Sequence, residues 1–185
     1  GVASQRLARR ASCSLLIVPE DAKPKVTKLL VPSDFSDYSK DALEEAIMIA
    51  EKHGGKVEIV CQNVFNVPSG YHFTGKSLEE FTEIMKMHAE INYKKFVKKI
   101  DTKGIKITPI YTQDDDDDPV QEIVSKALEI EADVIIIGAK GRTAATALFI
   151  GSMAERLIQY NDSLPLLVTR PKGKNAGILD YILEI

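Results

Sequence analysis

The residues best suited to chemistry lie in GAKGRTAATALFIGS, positions 138–152, directly after the apolar run DVIII. They form the pattern Gly138-x2-Gly141-x9-Gly151-Ser152, with Lys140 and Arg142 inside it. Glycine is entropically costly inside an element, so each of the three needs a reason. Phosphate binding supplies one. Gly138 permits a tight turn at a strand end. Gly141 lets backbone N–H groups approach an anion without a side chain in the way. Gly151 and Ser152 open a helix whose free N–H groups and dipole favour negative charge. Ser152 adds a hydroxyl, and Lys140 and Arg142 add positive charge. A plain strand–loop–helix connection with turn glycines and a serine cap accounts for the same residues without a ligand. Neither the Walker pattern nor the usual dinucleotide fingerprint is present, so these residues alone specify an anion near a helix start.

Strands alternating with helices must position that loop. VTKLLVPSD (26–34) reads as a buried strand entering a turn, and SKDALEEAIMIAEKHGG (39–55) as an amphipathic helix with Ala42, Leu43, Ala46, Ile47 and Ala50 on one stripe. KVEIVCQNVF (56–65) is a second strand. After a loop, Leu78, Phe81, Met85, Ile91, Phe96 and Ile100 mark a long helix. IKITPIYT, DPVQEIVSKALEIEA and DVIIIGA follow as strand, helix and strand, with Pro119 suited to the helix's first turn. Residues 152–160 give a last helix and LPLLVTR a last strand. This alternation predicts an α/β fold, a doubly wound, five-stranded parallel sheet with helices on both faces. Ligands bind such sheets outside the carboxyl ends of the strands, where strand order reverses. The PSD and GAKG ends share a crevice only if their strands are neighbours, which the sequence does not establish.

The glycine pattern, the opening KLLVPSDFSDYSKDALEEAIMIAEKHGGKVEIV and the later ADVIIIGAKGR together resemble the universal stress protein family, in its ATP-binding branch. The likeness runs from about Thr27 to Pro171. It implies an adenine-nucleotide alpha-hydrolase-like fold that binds ATP, ADP or AMP, with Mg or Mn held through the phosphates and no metal site made by protein alone. It also implies that Asp34 contacts the adenosine part, beside Pro32 and Ser33, and that backbone groups near Gln62 or Asn63 border the adenine. Ribose and phosphates fall to Gly138, Lys140, Gly141, Arg142, Gly151, Ser152 and Met153. From the residues alone, Asp34 is equally a helix-initiating turn residue, with Ser36 as an alternative cap.

The first nineteen residues resemble the last helix and strand. GVASQRLARRASCSLLIVP aligns on GSMAERLIQYNDSLPLLVT at an offset of 150, matching Gly1 to Gly151, Arg6 to Arg156, Leu7 to Leu157, Leu16 to Leu166 and Val18 to Val168. Such a repeat predicts a tandem protein. Residues 1–19 are then the final helix and strand of a preceding repeat, 20–26 a linker, 27–171 a full domain and 172–185 a tail. In the resembled family, domains pair through their last strands, so Ser14–Val18 is expected antiparallel to Leu166–Thr169, within one chain or across a homodimer. The linker spans about 20 Å when extended.

Composition excludes other classes. The chain has 185 residues, 44% hydrophobic and 28% charged, with net charge -3. That suits one domain with something left over and does not suit a protein that coats nucleic acid. No apolar run reaches the roughly 18 residues of a membrane span, and no secretory pattern is evident. Cys13 and Cys61 make no disulfide framework, and Cys61 reads as a small core residue, so a cytoplasmic setting is the default. Asp114–Asp118 read as a solvated loop leading into a helix, and His53, His72 and His88 lack metal-ligand spacing. No nucleophile–base pair emerges, so no catalytic residue is assigned. A regulatory or interaction module that binds ATP is the leading reading; a slow ATP hydrolase and a nucleotide-free dimerisation module are the alternatives. The tail's Ile178, Leu179, Ile182, Leu183 and Ile185 form an apolar face wanting a partner.

Overall fold

The computed structural model describes residues 2–23, 25–140 and 150–170. Gly141, Arg142 and the tail 172–185 lie outside the described residues. The elements in chain order are α1 (Val2–Arg10), β1 (Leu15–Ile17), β2 (Lys28–Pro32), α2 (Asp37–Lys52), β3 (Glu58–Phe65), a 3-10 turn (Ser69–Thr74), α3 (Leu78–Val97), β4 (Ile107–Gln113), α4 (Pro119–Glu129), β5 (Val134–Gly138), α5 (Ser152–Tyr160) and β6 (Leu166–Thr169).

The sheet order is β1-β6-β5-β2-β3-β4. Five strands, β2 to β6, are parallel, and β1 pairs antiparallel at the edge beside β6. The expected five parallel strands are therefore present, with a sixth added. Alternation along each strand supplies two cores. Leu30, Val60, Ile135, Ile137, Leu166 and Val168 pack with Val120, Ile123 and Ala127 of α4 and with Ala154, Leu157 and Ile158 of α5. On the other face Leu29, Val31, Ile59, Cys61 and Ile136 pack with the Ala42–Leu43–Ala46–Ile47–Ala50 stripe of α2 and with Tyr93 and Phe96 of α3. A strand buried on both faces has no polar side, which is why these strands read as continuous apolar runs.

Side chains start three of the helices. Ser36 caps α2, Ser77 and Glu80 form a capping box on α3, and Asp118 caps α4 with Pro119 in first position. Each such cap is worth about 1 kcal/mol. The start of α5 differs: its N-cap is Gly151, which has no side chain to cap it.

The α1–β1 unit lies where the family resemblance leads one to expect it, with β1 antiparallel to β6. Leu15 pairs with Val168, Leu16 with Leu167 and Ile17 with Leu166, and the pairing closes within one chain. The linker has only to cross the starts of β6 and β5, three strand spacings or about 14 Å. It is anchored on Asp133, whose Oδ2 accepts from the N–H of Thr27 at 2.6 Å and of Lys28 at 2.9 Å. One detail of the repeat is corrected. Paired residues share a face, so Leu15 and Ile17 lie on the side of Val168 and Leu166, while Leu16 lies on the side of Leu167. The strand equivalents are thus Leu15 with Leu166, Leu16 with Leu167 and Val18 with Thr169, one residue off the ungapped alignment. The cause is local: four residues join α1 to β1, and five join α5 to β6.

Candidate functional site

The topology settles the adjacency the sequence left open. β2 and β5 are neighbours, Leu29 opposite Val134 and Leu30 opposite Ile135, and β2 meets β3 on its other side. The sheet therefore reverses at β2, and the PSD and GAK strand ends stand side by side at its carboxyl edge.

The turn after β2 is tightly specified. The Ser33 N–H donates to the Gln62 carbonyl at 2.8 Å, extending the ladder past Pro32. The Asn63 amide donates to the Ser33 carbonyl at 2.8 Å, and the Ser33 hydroxyl accepts from the Phe35 N–H at 3.1 Å. Phe35 sits at φ 62°, a left-handed conformation costly for a bulky residue. Its ring offsets that strain by packing on Phe96, 5.4 Å away, and Tyr93, 6.3 Å away. Asp34, half-buried, is held by this turn: its Oδ1 accepts from the Ser36 N–H and the Ser39 hydroxyl, both at 3.0 Å. The carboxylate is thus oriented at the start of α2, while Ser36 is the cap itself, accepting from the Ser39 N–H at 3.3 Å. Ser39, three residues beyond Ser36, is the member of this arrangement that sequence reasoning missed; the three-residue spacing of Ser33, Ser36 and Ser39 is its signal.

Gln62 meets the Ser33 turn through its backbone carbonyl alone. Its side chain is fully buried on the α4 side, donating to Thr112 Oγ1 at 3.0 Å and to the Glu122 carbonyl at 3.2 Å. Asn63 is the neighbour whose side chain reaches the Ser33 turn. Cys61 is a core residue, as expected: it is 1% exposed, and burial pushes its thiol up to about 12 despite the Ser33 hydroxyl beside it. It is therefore no nucleophile at neutral pH.

Gly138 has a different reason from the one expected. A Cβ placed there would fall 2.4 Å from the Tyr38 carbonyl oxygen, so its small size lets the first turn of α2 pack onto the end of β5. Lys140 is 7% exposed, and its ammonium stands 5.7 Å from the centre of the Tyr38 ring. Tyr38, which the sequence does not mark, thus lies against Gly138 through its backbone and near Lys140 through its ring. At the far end of the loop, the Gly151 N–H donates to the Ala139 carbonyl at 2.6 Å. That bond brings the start of α5 against the end of β5. Ser152 is exposed there, and Met153 is half-buried against the α4–α5 core.

The aspartate run proves structural at both ends. Asp114 is buried and accepts from the Asn66 amide at 3.2 Å and the Asp118 N–H at 2.9 Å. Asp118 caps α4 and receives the Arg156 guanidinium at 2.8 Å. Among the described residues, no group of three or more His, Cys, Asp or Glu side chains is placed to hold a metal ion. No helix among them is long and apolar enough to cross a membrane.

Residues 25–170 match the profile described as the universal stress protein family. Universal stress protein MJ0531 of Methanocaldococcus jannaschii is 32% identical over 145 residues, covering 78% of this chain and 83% of its own length. Among solved structures, a universal stress protein in complex with cAMP aligns at TM-score 0.57 and 16% identity, over 78% of this chain and 97% of that one. The protein of unknown function PA1789 from Pseudomonas aeruginosa PAO1 aligns at TM-score 0.64 and 16% identity, over 100% of this chain and 62% of that one.

Proposed function

The chain belongs to the universal stress protein family over residues 25–170, and from that membership we propose that it binds an adenine nucleotide in the crevice between the ends of β2 and β5, as a regulatory or interaction module in stress response. One observation carries the reading. The start of α5, whose N-cap Gly151 has no side chain to offer, is bonded through Gly151 to the end of β5, beside the turn that fixes Asp34. Helix N-terminal N–H groups favour an anion, and an oriented carboxylate can accept from hydroxyls. A nucleotide offers both, phosphate at one end and ribose at the other. A nucleotide is also what the aligned cAMP complex holds.

In this reading the Asp34 carboxylate accepts from the nucleoside. Backbone groups of Gly151, Ser152 and Met153, with the Ser152 hydroxyl, take the phosphates. Gly141 and Arg142 complete the loop. Lys140 lends charge from its place over Tyr38, and Pro32, Ser33 and the Gln62 backbone shape the wall. In this reading Mg or Mn would be held through the phosphates. The test is to denature the purified protein and identify any nucleotide released. Retained ATP supports a binding module, and steady ADP release with magnesium would indicate a hydrolase instead.

A further inference from the structure

We propose that residues 178–185 dock as a short helix on the α2-side face of β6 and β1. This goes beyond the nucleotide reading and does not depend on it. Three observations carry it.

The first is a helix layer one member short. A packed helix is about 10 Å wide and strands lie about 4.8 Å apart, so one helix covers two strands. Six strands therefore take three helices on each face. On one face α1, α4 and α5 all contribute to the core, through Ala8, Val120 and Leu157 among others. On the other face, among the described residues, only α2 and α3 do so. There α2 lies chiefly over β5 and β2, and α3 over β4 and β3. The strip formed by β6 and β1 is left over.

The second is what that strip exposes. Leu16 is paired with Leu167, which packs toward the α2-side core, so the two share a face. Leu16 is 55% exposed, and Val18, two residues on and so on the same face, is 56% exposed. Leu167 itself is only half-buried. Large apolar side chains grouped on one open face mark a contact surface.

The third is the segment that follows β6. The Arg170 N–H donates to Ser14 Oγ at 3.0 Å, so the chain leaves the sheet beside the start of β1, at the head of this strip. Further on, Ile178, Leu179, Ile182 and Leu183 recur at helical spacing, with Asp180 and Glu184 on the opposite side. Eight helical residues extend about 12 Å. The four residues of β6 span about the same, at about 3.3 Å each. Residues 172–177 reach about 20 Å when extended, ample for a rise of about 10 Å from sheet to helix layer. Charge agrees. Tyr38 lies close enough to the Arg170 guanidinium to interact with it, so this flank of α2 faces β6. Asp41 and Glu45, three and seven residues further on, continue the flank, and the connecting segment carries Lys172 and Lys174.

The test compares the full chain with a peptide of residues 171–185. A helix this short is not stable alone, so slow hydrogen exchange at 179–185 reports docking. Exchange at least tenfold slower in the full chain than in the peptide, at any protein concentration, is expected. Leu16→Asp with Val18→Asp should return those amides to the peptide rate while residues 27–170 keep their protection. Independently of those substitutions, removing residues 172–185 should shift the methyl resonances of Leu16, Val18 and Leu167 and leave those of Leu30 and Leu157, on the far face, in place. Peptide-rate exchange in the full chain, protection that survives the two aspartates, or unmoved Leu16, Val18 and Leu167 methyl signals would each overturn the proposal. Protection lost on dilution would do so too, since a second copy would then supply the cover.

Discussion

Gly138 and Asp34 do most to fix the crevice at the level of single residues. Gly138→Ala would drive a methyl group into the Tyr38 carbonyl, and backbone cannot swing aside as a flexible side chain can. The expected loss is about 1–3 kcal/mol of stability in urea unfolding; an unchanged midpoint would show that α2 can retreat from β5. Asp34→Ala should weaken ATP, ADP and AMP by one common factor, equivalent to about 1–3 kcal/mol for a lost buried acceptor. Calorimetric titration checks it, and a loss confined to ATP would place Asp34 at the phosphates. Asp133 bears on pH. Partial burial works to raise its carboxyl, but hydrogen bonds from Thr27, Lys28 and Lys25 hold it below the usual range. A depressed folded-state value contributes stability that is complete above the unfolded carboxyl value of about 3.9 and is lost as pH falls through the folded one. Asp133→Asn should therefore destabilise the protein at pH 7 and flatten the fall of its melting temperature as pH drops below about 4, relative to the parent chain, as followed by circular dichroism. Asp34 and Gly138 were both legible in the sequence as residues that matter. The reason for Gly138 was not, because Tyr38 lies 100 positions earlier and only the packing of α2 on β5 brings them together.

Elements carried a clear sequence signal wherever burial imposed a period. The α2 stripe, the apolar strands and the Pro119 start of α4 follow from pattern and capping chemistry. The likeness between residues 1–19 and 151–169 pointed to a helix and a strand, and α1 and β1 are there, but the strand register of the ungapped alignment is off by one. An ungapped alignment cannot see a one-residue shorter connection, whereas the pleat reveals it at once, since a single slip moves every side chain to the opposite face. The same pairing yields a prediction at this scale. Removing residues 1–19 strips β1 from β6 and uncovers Leu166 and Val168 along a free edge. Light scattering should show a larger mass or aggregation for the shortened chain. Unchanged mass and solubility would mean that β1 gives β6 no cover.

For the molecule as a whole, alternating strands and helices predicted the parallel α/β sheet, yet strand order is a long-range property that no local pattern encodes. It is the adjacency of β2 and β5, with α5 starting at the end of β5, that turns two separate motifs into one crevice. Adenine-nucleotide binding in that crevice is most directly tested by incubating the purified chain with magnesium and excess ATP, desalting it, denaturing it and identifying what is released. A stoichiometric adenine nucleotide from the parent chain, and little or none from Asp34→Ala under the same treatment, is the expected result. A parent chain that releases no adenine nucleotide, and gives no binding heat when titrated with ATP, would contradict it.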